Sequence, residues 1–358
     1  MSDDNQISPK HVLISALDWG LGHATRTSEI IDRLIAQNYK VTLVGSGRVY
    51  HYFKQRYPNL KIYKIFNLTL RYSRSSATFH LKITWVFFKM YINILLDRIF
   101  LPKILKQTKP DLIISDSRFG IRSKRVYSII ISHLINFHLP KAVQFLDTTI
   151  FWNVCLLINK FDEHWIPDYA LEPNLSGKLS HFRLCHYNTY YIGLLSRFKH
   201  ADCQPNPDYD IFCIASGIEP QRTIFVQKLI DTFKDTQWKV LIASGAPEKN
   251  FQKNYQNITL VSYMDGEKFC QHVKGSKYII VRAGYSTLMD LIALGKTALI
   301  VPTPRQTEQE YIAWHLHSQK IFQKTSQSEF SLQAFLDFTK QADNLQKNLD
   351  NLRTLYKL

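Results

Sequence analysis

Cysteine is scarce in this 358-residue chain, and what there is makes no recognisable pattern. The five cysteines (155, 185, 203, 213 and 270) are odd in number and show no C-x-x-C spacing. A metal cluster or disulfide framework is therefore not expected, and a reducing compartment fits best. Long apolar runs are missing as well. The nearest, residues 83–105, is interrupted by Lys89, Asp97, Arg98 and Lys103 and is too charged to span a bilayer. No secretory leader is expected, because residues 1–10 are acidic and polar where a basic segment would stand. Acids are short in the first part of the chain. Residues 1–205 hold 27 Lys+Arg against 14 Asp+Glu, a net of +13, whereas residues 206–358 hold 18 against 15, a net of +3. Any acidic partner surface is thus met by the first half. It is not read as nucleic acid, since no RNP-like, KH or zinc-finger pattern occurs.

What is present describes a globular α/β protein, 45% hydrophobic and 21% charged. The length exceeds one ordinary core, so two domains are expected, 1–202 and 203–358, meeting at the polar, proline-containing stretch 200–209. HVLISA (11–16), the glycine turn Asp18–His23, a helical segment and KVTLV (40–44) make a βαβ unit. The dinucleotide fingerprint is not completed, since Gly20 and Gly22 are followed by Ala24-Thr25, which weakens a dehydrogenase reading. A strand is expected at 60–65. DLIISDS (111–117) is another, ending in Asp116 at a carboxyl edge. An apolar helix is expected at 129–137 and a strand at 141–146.

The second half repeats the rhythm. IFCIASG (211–217) and KVLIAS (239–244) run into Ser-Gly turns, and NITLVSY (257–263) leads to Met264. YIIV (278–281) runs into the turn Arg282-Ala283-Gly284, and Tyr285-Ser286-Thr287 opens a helix that stops at Gly295. ALIVP and the polar loop Thr303–Gln309 lead to a further helix, and 328–358 is helical. Open parallel sheets bind ligands beyond the carboxyl ends of their strands, and a helix starting there favours an anion such as pyrophosphate. An ordinary βαβ unit needs the same glycines and Ser/Thr starts. The turns Ser216-Gly217, Ser244-Gly245 and Ala283-Gly284 allow close approach of backbone N–H groups to phosphate. Arg222 and Arg282 are candidates to neutralise a leaving pyrophosphate; otherwise Arg222 pairs with a carboxylate of its own helix and Arg282 caps a loop. Neither a D-x-D motif nor a His/Cys cluster is read as supplying a metal site, so neither a catalytic metal nor a cofactor is expected.

Residues 71–109 hold eight Lys+Arg and one acid, Asp97, among Tyr72, Phe79, Trp85, Phe87, Phe88, Tyr91 and Phe100. Apolar residues at three- and four-residue steps predict a helix. Its apolar face covers a sheet, or it rests on anionic lipid headgroups, or it is packed at one end and exposed at the other.

The run 278–314 resembles the donor-binding segment of family 28 and related GT-B glycosyltransferases, the MurG-like group. The matching residues are Arg282, Gly284, Ser286, Thr287, Asp290, Pro302, Pro304, Gln306 and Gln309. GLGHATR (20–26) is similar to the N-terminal G-x-G-H loop of these enzymes. Asp162–Asp168 and Tyr191–Arg197 resemble the patterns that end their first domain. The resemblance implies two Rossmann-like domains facing each other across a cleft, and an inverting, metal-independent transfer from a nucleotide-sugar. The donor implied is a UDP-sugar, a substrate rather than a cofactor. It implies that Asp290 binds the ribose (family members more often place Glu there), that Glu308 and Gln309 read the sugar, and that Tyr263 and Met264 lie beside the base. Gly22 would lie near the donor phosphates. His23, or failing it Asp116, would be the general base; a histidine suits that role, although a lone His at a helix start also caps or packs. The acceptor is expected to be a glycan or lipid-linked hydroxyl, and the setting cytoplasmic, peripheral on the inner membrane face. The competing readings are a sugar-nucleotide epimerase on the same fold and a non-catalytic membrane-associated scaffold.

Overall fold

The computed structural model describes residues 10–68, 79–137, 141–217, 219–246, 249–264 and 266–358; part of the expected lipid-facing segment, 71–78, lies outside them. The first half forms β1 (His11–Ala16), α1 (Leu21–Ala36), β2 (Lys40–Gly45), α2 (Gly47–Arg56), β3 (Lys61–Lys64), α3 (Phe79–Thr108), β4 (Leu112–Asp116) and β5 (Tyr127–Ile131). It continues through α4 (Asp147–Ile158), β6 (Glu163–Ile166), α5 (Lys178–His181) and β7 (Thr189–Tyr191). The second half forms β8 (Ile211–Ile214), α6 (Gln221–Phe233), β9 (Val240–Ala243), β10 (Gln252–Tyr255), β11 (Ile258–Val261), α7 (Gly266–Gly275) and β12 (Tyr278–Val281). After these come α8 (Tyr285–Leu294), β13 (Leu299–Ile300), α9 (Thr307–Ser318), β14 (Gln323–Lys324) and α10 (Leu332–Tyr356).

Every position of β1 and β12 is buried, as befits strands covered on both faces by helices. The first sheet runs β3-β2-β1-β4-β5-β6-β7 and is parallel throughout. The second runs β10-β11-β9-β8-β12-β13-β14, with β10–β11 its antiparallel pair. In each sheet the first strand lies where the order reverses, β1 between β2 and β4, β8 between β9 and β12. Two such switch points make two crevices at strand carboxyl ends. The cleft lies between them.

Burial of apolar side chains ties the halves together. Leu175, Leu179, Leu194 and Phe198 share one cluster with Phe269, Tyr285 and Ile312. The C-terminal helix α10 packs on the second sheet, and Tyr356 near its end stacks on Tyr169 of the first half, with ring centroids 3.4 Å apart. Helix α8 stops where expected. Gly295 is left-handed (φ 69°, ψ 43°), its N–H closes the last turn, and a β-carbon there would run into the Arg353 guanidinium.

Three expectations are corrected. Residues 129–137 are not a helix; Tyr127–Ile131 is strand β5, followed by irregular chain. A short run such as Ile129-Ile130-Ile131 has no period that separates strand from helix, and its β-branching favours the strand. Residues 141–146 are not a strand but a 3₁₀ turn running directly into α4. Cys203 and Cys270 form a disulfide, Cα atoms 6.2 Å apart, where no disulfide was expected. Cys155, Cys185 and Cys213 are free.

From Phe88 onward, helix α3 divides by face. Leu101 and Ile104 pack on Leu13, Val44 and Ile113 of the sheet. The opposite face leaves Phe88, Tyr91, Leu95 and Ile99 exposed. Tyr91 donates from its hydroxyl to Asn153 on α4 (3.1 Å), whose neighbours Trp152 and Leu156 are also exposed. Among the described residues no helix is long and apolar enough to cross a membrane. Beneath α3, burial pushes the Asp97 carboxyl up against the opposing pull of Arg118, whose guanidinium holds it at 2.8 Å. Each partner is 2% exposed, so neither can be hydrated if the other is lost. Arg118→Ala should destabilise the first domain by about 3–5 kcal/mol, whereas Asp97→Leu with Arg118→Met should be near neutral. Urea denaturation followed by tryptophan fluorescence distinguishes the two.

Candidate active site

The site is built where β1, β4 and β5 end. His23, Arg26 and Thr27 lie three and four residues apart on α1, so their side chains share one face. That face meets Asp116, the last residue of β4, which is fully buried. One oxygen accepts from Arg26 Nε (2.6 Å) and Thr27 Oγ1 (3.0 Å); the other from Arg26 Nη2 and His23 Nδ1 (2.8 Å). Burial alone would push the Asp116 carboxyl up. The Arg26 guanidinium, and then His23, outweigh it and hold the group well below the usual carboxylate range.

These contacts set the two candidates for the base apart. Asp116 is saturated, ionised and shielded, a poor acceptor for an incoming proton, so the expectation of Asp116 as a base is corrected. It is the orienter. His23 Nδ1 lies 2.8 Å from Asp116 Oδ1, which only accepts, and 3.0 Å from Arg26 Nη2, which only donates. Because Arg26 also has both Asp116 oxygens to bond, we assign the Nδ1–H to the shorter carboxylate contact, which leaves the lone pair on Nε2. The His23 side chain is 21% exposed. A base held by a buried acid is the triad logic of hydrolases without their nucleophile.

The second domain closes on this cluster. Ser286 in the first turn of α8 donates to the Gly22 carbonyl (2.8 Å), and a β-carbon at Gly22 would lie 3.0 Å from that hydroxyl. A side chain at Gly22 would thus need Ser286 to shift by a few tenths of an ångström. Tyr285 stacks on His133 with centroids 3.9 Å apart and donates to the Pro167 carbonyl. His133 Nε2 lies 2.9 Å from Glu308 Oε1, and its Nδ1 3.1 Å from Arg26 Nη1. Burial lowers the His133 pKa below the usual histidine value; Glu308 opposes this and Arg26 adds to it. His133 was not foreseen, because it sits in the stretch assigned to a helix rather than just past the end of β5.

Placement of the remaining candidates divides into open and spent groups. Gly217 (φ 127°) and Gly245 (φ 64°) turn beside each other, a β-carbon on Gly245 meeting Ser216 Cα at 3.1 Å. Ser244 spends its hydroxyl on the Ser262 carbonyl, and Gln309 spends its amide oxygen on the Thr303 N–H. Arg222 is buried, paired with Glu219 at 2.8 Å and bonded to the Gly245 carbonyl. Arg282 is 1% exposed, lies on the Phe225 ring and donates to the carbonyls of Val301, Pro302 and Gln221. The two arginines, expected to neutralise pyrophosphate, here brace loop carbonyls. Asp290 is likewise buried, Oδ1 accepting from Ser196 Oγ (2.7 Å) with Arg197 3.5 Å from Oδ2, so its carboxylate serves an interdomain contact. Left open is Gly284 at the start of α8, which has no side-chain cap; Thr287, Tyr263 and Met264 are part-exposed. Thr303, also not foreseen, has a buried hydroxyl without a hydrogen-bond partner on the side of Gly217.

Comparison with known proteins agrees with this architecture. The chain is similar over its whole length to the glycotransferase of kitacinnamycin (TM-score 0.67, 12% identity, 97% of this chain and 94% of that one). It is also similar to the calicheamicin glycosyltransferase CalG4 (0.65, 11%, 97% and 94%) and to MurG of Acinetobacter baumannii (0.55, 15%, 95% and 94%). The chain therefore has the GT-B fold of glycosyltransferases. Residues 224–353 match the glycosyltransferase family 28 C-terminal domain. An uncharacterized glycosyltransferase of Methanosarcina acetivorans is 24% identical over 225 residues, and one of Methanosarcina mazei 25% over 226. These matches cover 58% of this chain and span 57% and 58% of those relatives.

Asp116→Asn leaves the buried Arg26 uncompensated and should cost about 3–5 kcal/mol near neutral pH. Because the folded-state pKa is depressed, the stability contributed by the native carboxylate is complete above its unfolded value, about 3.9, and is lost as pH falls below it. The gap between variant and wild type should therefore be constant from pH 5 to 8 and shrink below about 4, as denaturant midpoints across that range would register.

Proposed function

We propose that the protein is an active glycosyltransferase that moves a sugar, a hexose or N-acetylhexosamine, from a UDP-sugar to an acceptor hydroxyl. One observation carries the reading: the His23–Asp116 pair faces, across the cleft, the uncapped start of α8. The acceptor O–H gives its proton to His23 Nε2 as its oxygen bonds to the anomeric carbon. The bond from that carbon to the phosphate oxygen breaks, and the pyrophosphate leaves with the electron pair. Backbone N–H groups at the start of α8 and the turns at Gly217 and Gly245 take up the developing negative charge. Arg222 and Arg282 contribute at one remove, by holding carbonyls in those loops. In this reading the acceptor oxygen attacks the anomeric carbon on the face opposite the departing phosphate oxygen, which inverts that carbon. Thr303 Oγ1 is a further phosphate or sugar contact in this reading.

The acceptor side is the basic first domain, and we assign it a lipid-linked or otherwise anionic acceptor at the cytoplasmic membrane face. The exposed row Phe88, Tyr91, Leu95 and Ile99, continued by Trp152 and Leu156 on α4, would enter the headgroup region, with Arg98 and Lys103 beside it.

Saturation-transfer NMR with UDP-, GDP-, dTDP- and CMP-sugars tests the donor: signal from the UDP-sugar alone is expected, and none from any of the four sinks the assignment. With that donor, His23→Ala should bind equally well but turn over about 10²–10⁴-fold more slowly; unchanged turnover would remove His23 as the base. Leu95→Asp with Ile99→Asp should weaken sedimentation with phosphatidylserine vesicles about tenfold or more, and equal binding by variant and wild type would refute the membrane face.

A further inference from the structure

The cluster around the base does not end at Asp116. Four contacts join a residue of the second domain to His23: Glu308 to His133 (2.9 Å), His133 to Arg26 (3.1 Å), Arg26 to Asp116 (2.6 Å), and Asp116 to His23 (2.8 Å). The chemistry of its two partners fixes the proton position on the His133 ring. Arginine only donates, so His133 Nδ1, facing Arg26 Nη1, must carry the lone pair. The ring proton of neutral His133 is then on Nε2, where it meets the Glu308 carboxylate. Burial disfavours a second proton on the ring, and Arg26 beside it does the same. The charged and titratable groups facing this ring are Arg26 and His23 of α1, Tyr285 of α8 and Glu308 of α9.

We infer that His133 is a positioning residue which makes the orientation of the base His23 conditional on Glu308 being seated against it, so that the base is correctly held when the second domain is docked. With Glu308 in place, one tautomer is selected, Arg26 Nη1 has an acceptor, and the guanidinium is fixed across both oxygens of Asp116. Without it, the Nδ1–H tautomer becomes accessible. That tautomer sets an N–H against the N–H of Arg26, the guanidinium loses a partner, and the carboxylate that orients His23 loosens. The sequence order hides this link, since Glu308 follows His133 by 175 residues. Glu308 sits on the donor side of the cleft with a quarter of its side chain exposed, where a donor sugar would meet it. The inference rests on the transferase reading of His23, but its test does not.

The test uses the full chain labelled with ¹⁵N-histidine and no sugar, reading ring tautomers from long-range ¹H–¹⁵N spectra. In wild type, His133 is neutral with its proton on Nε2, and the His23 Nδ1–H is protected from solvent exchange. Glu308→Gln keeps an acceptor oxygen but no charge, and should match wild type at both rings. Glu308→Leu should give a mixture of His133 tautomers and exchange the His23 Nδ1–H about tenfold faster, as expected for loss of one hydrogen bond to a charged network. His133→Phe, which keeps the ring on Tyr285, should speed exchange at His23 in the same way and serves if Glu308→Leu does not fold. A wild-type His133 protonated on Nδ1 overturns the inference. So does His23 exchange unchanged in both the Leu and Phe variants, or equal changes in Gln and Leu, which would mean charge acting through space. Failure here leaves donor binding and turnover standing, because those are measured separately.

Discussion

The cleft depends on one buried pair, Asp116 with Arg26. A carboxylate at 0% exposure is tolerable only if a full counter-charge comes with it, and the guanidinium, itself 2% exposed, bonds both oxygens. The pair fixes the rotation of α1 about its axis, since the residue that supplies the charge also determines where its neighbours three and four positions away must face. His23 is thereby aimed at the cleft and Thr27 at the carboxylate. The geometry that makes Asp116 useless as a proton acceptor makes it an effective anchor. Stability and orientation come from the same four donors.

Much of the fold was legible because its strands are short β-branched runs closed by glycine turns, a pattern that a doubly covered parallel sheet imposes. The helix opening at Tyr285 and stopping at Gly295, and the strands ending at Asp116 and Val281, are of this kind. Residues 129–137 defeated the reading because three successive isoleucines carry no period. His133 was lost with them, since a histidine placed inside a helix has no reason to be at a strand end. The pairing of Cys203 with Cys270 is a tertiary fact across 67 residues, which counting cysteines does not reach. For the site, residue type was informative and burial was not. An arginine after a strand suggests a phosphate ligand until the ring of Phe225 and the carbonyls around Arg282 are seen to occupy it. Asp290 is the same case, a carboxylate in the expected register but claimed by Ser196.

These spent residues show how the second domain is prepared for an anion. Arg222 ties down the Gly245 carbonyl, Arg282 those of Val301 and Pro302, and Gln309 the Thr303 N–H. Each removes a degree of freedom from a loop bordering the start of α8. Rigid backbone dipoles do not have to reorganise as charge develops, which is what makes such an arrangement effective in a dry cleft.

The disulfide has a mechanical meaning. Cys203 lies where the chain leaves the first domain, and Cys270 lies within α7. Between them run β8, α6, β9, β10 and β11, a closed ring of chain. A pull applied between the two domains therefore enters the second one at α7, and those four strands sit outside the path of the load. The junction behaves as a riveted hinge, with the sheet behind it spared.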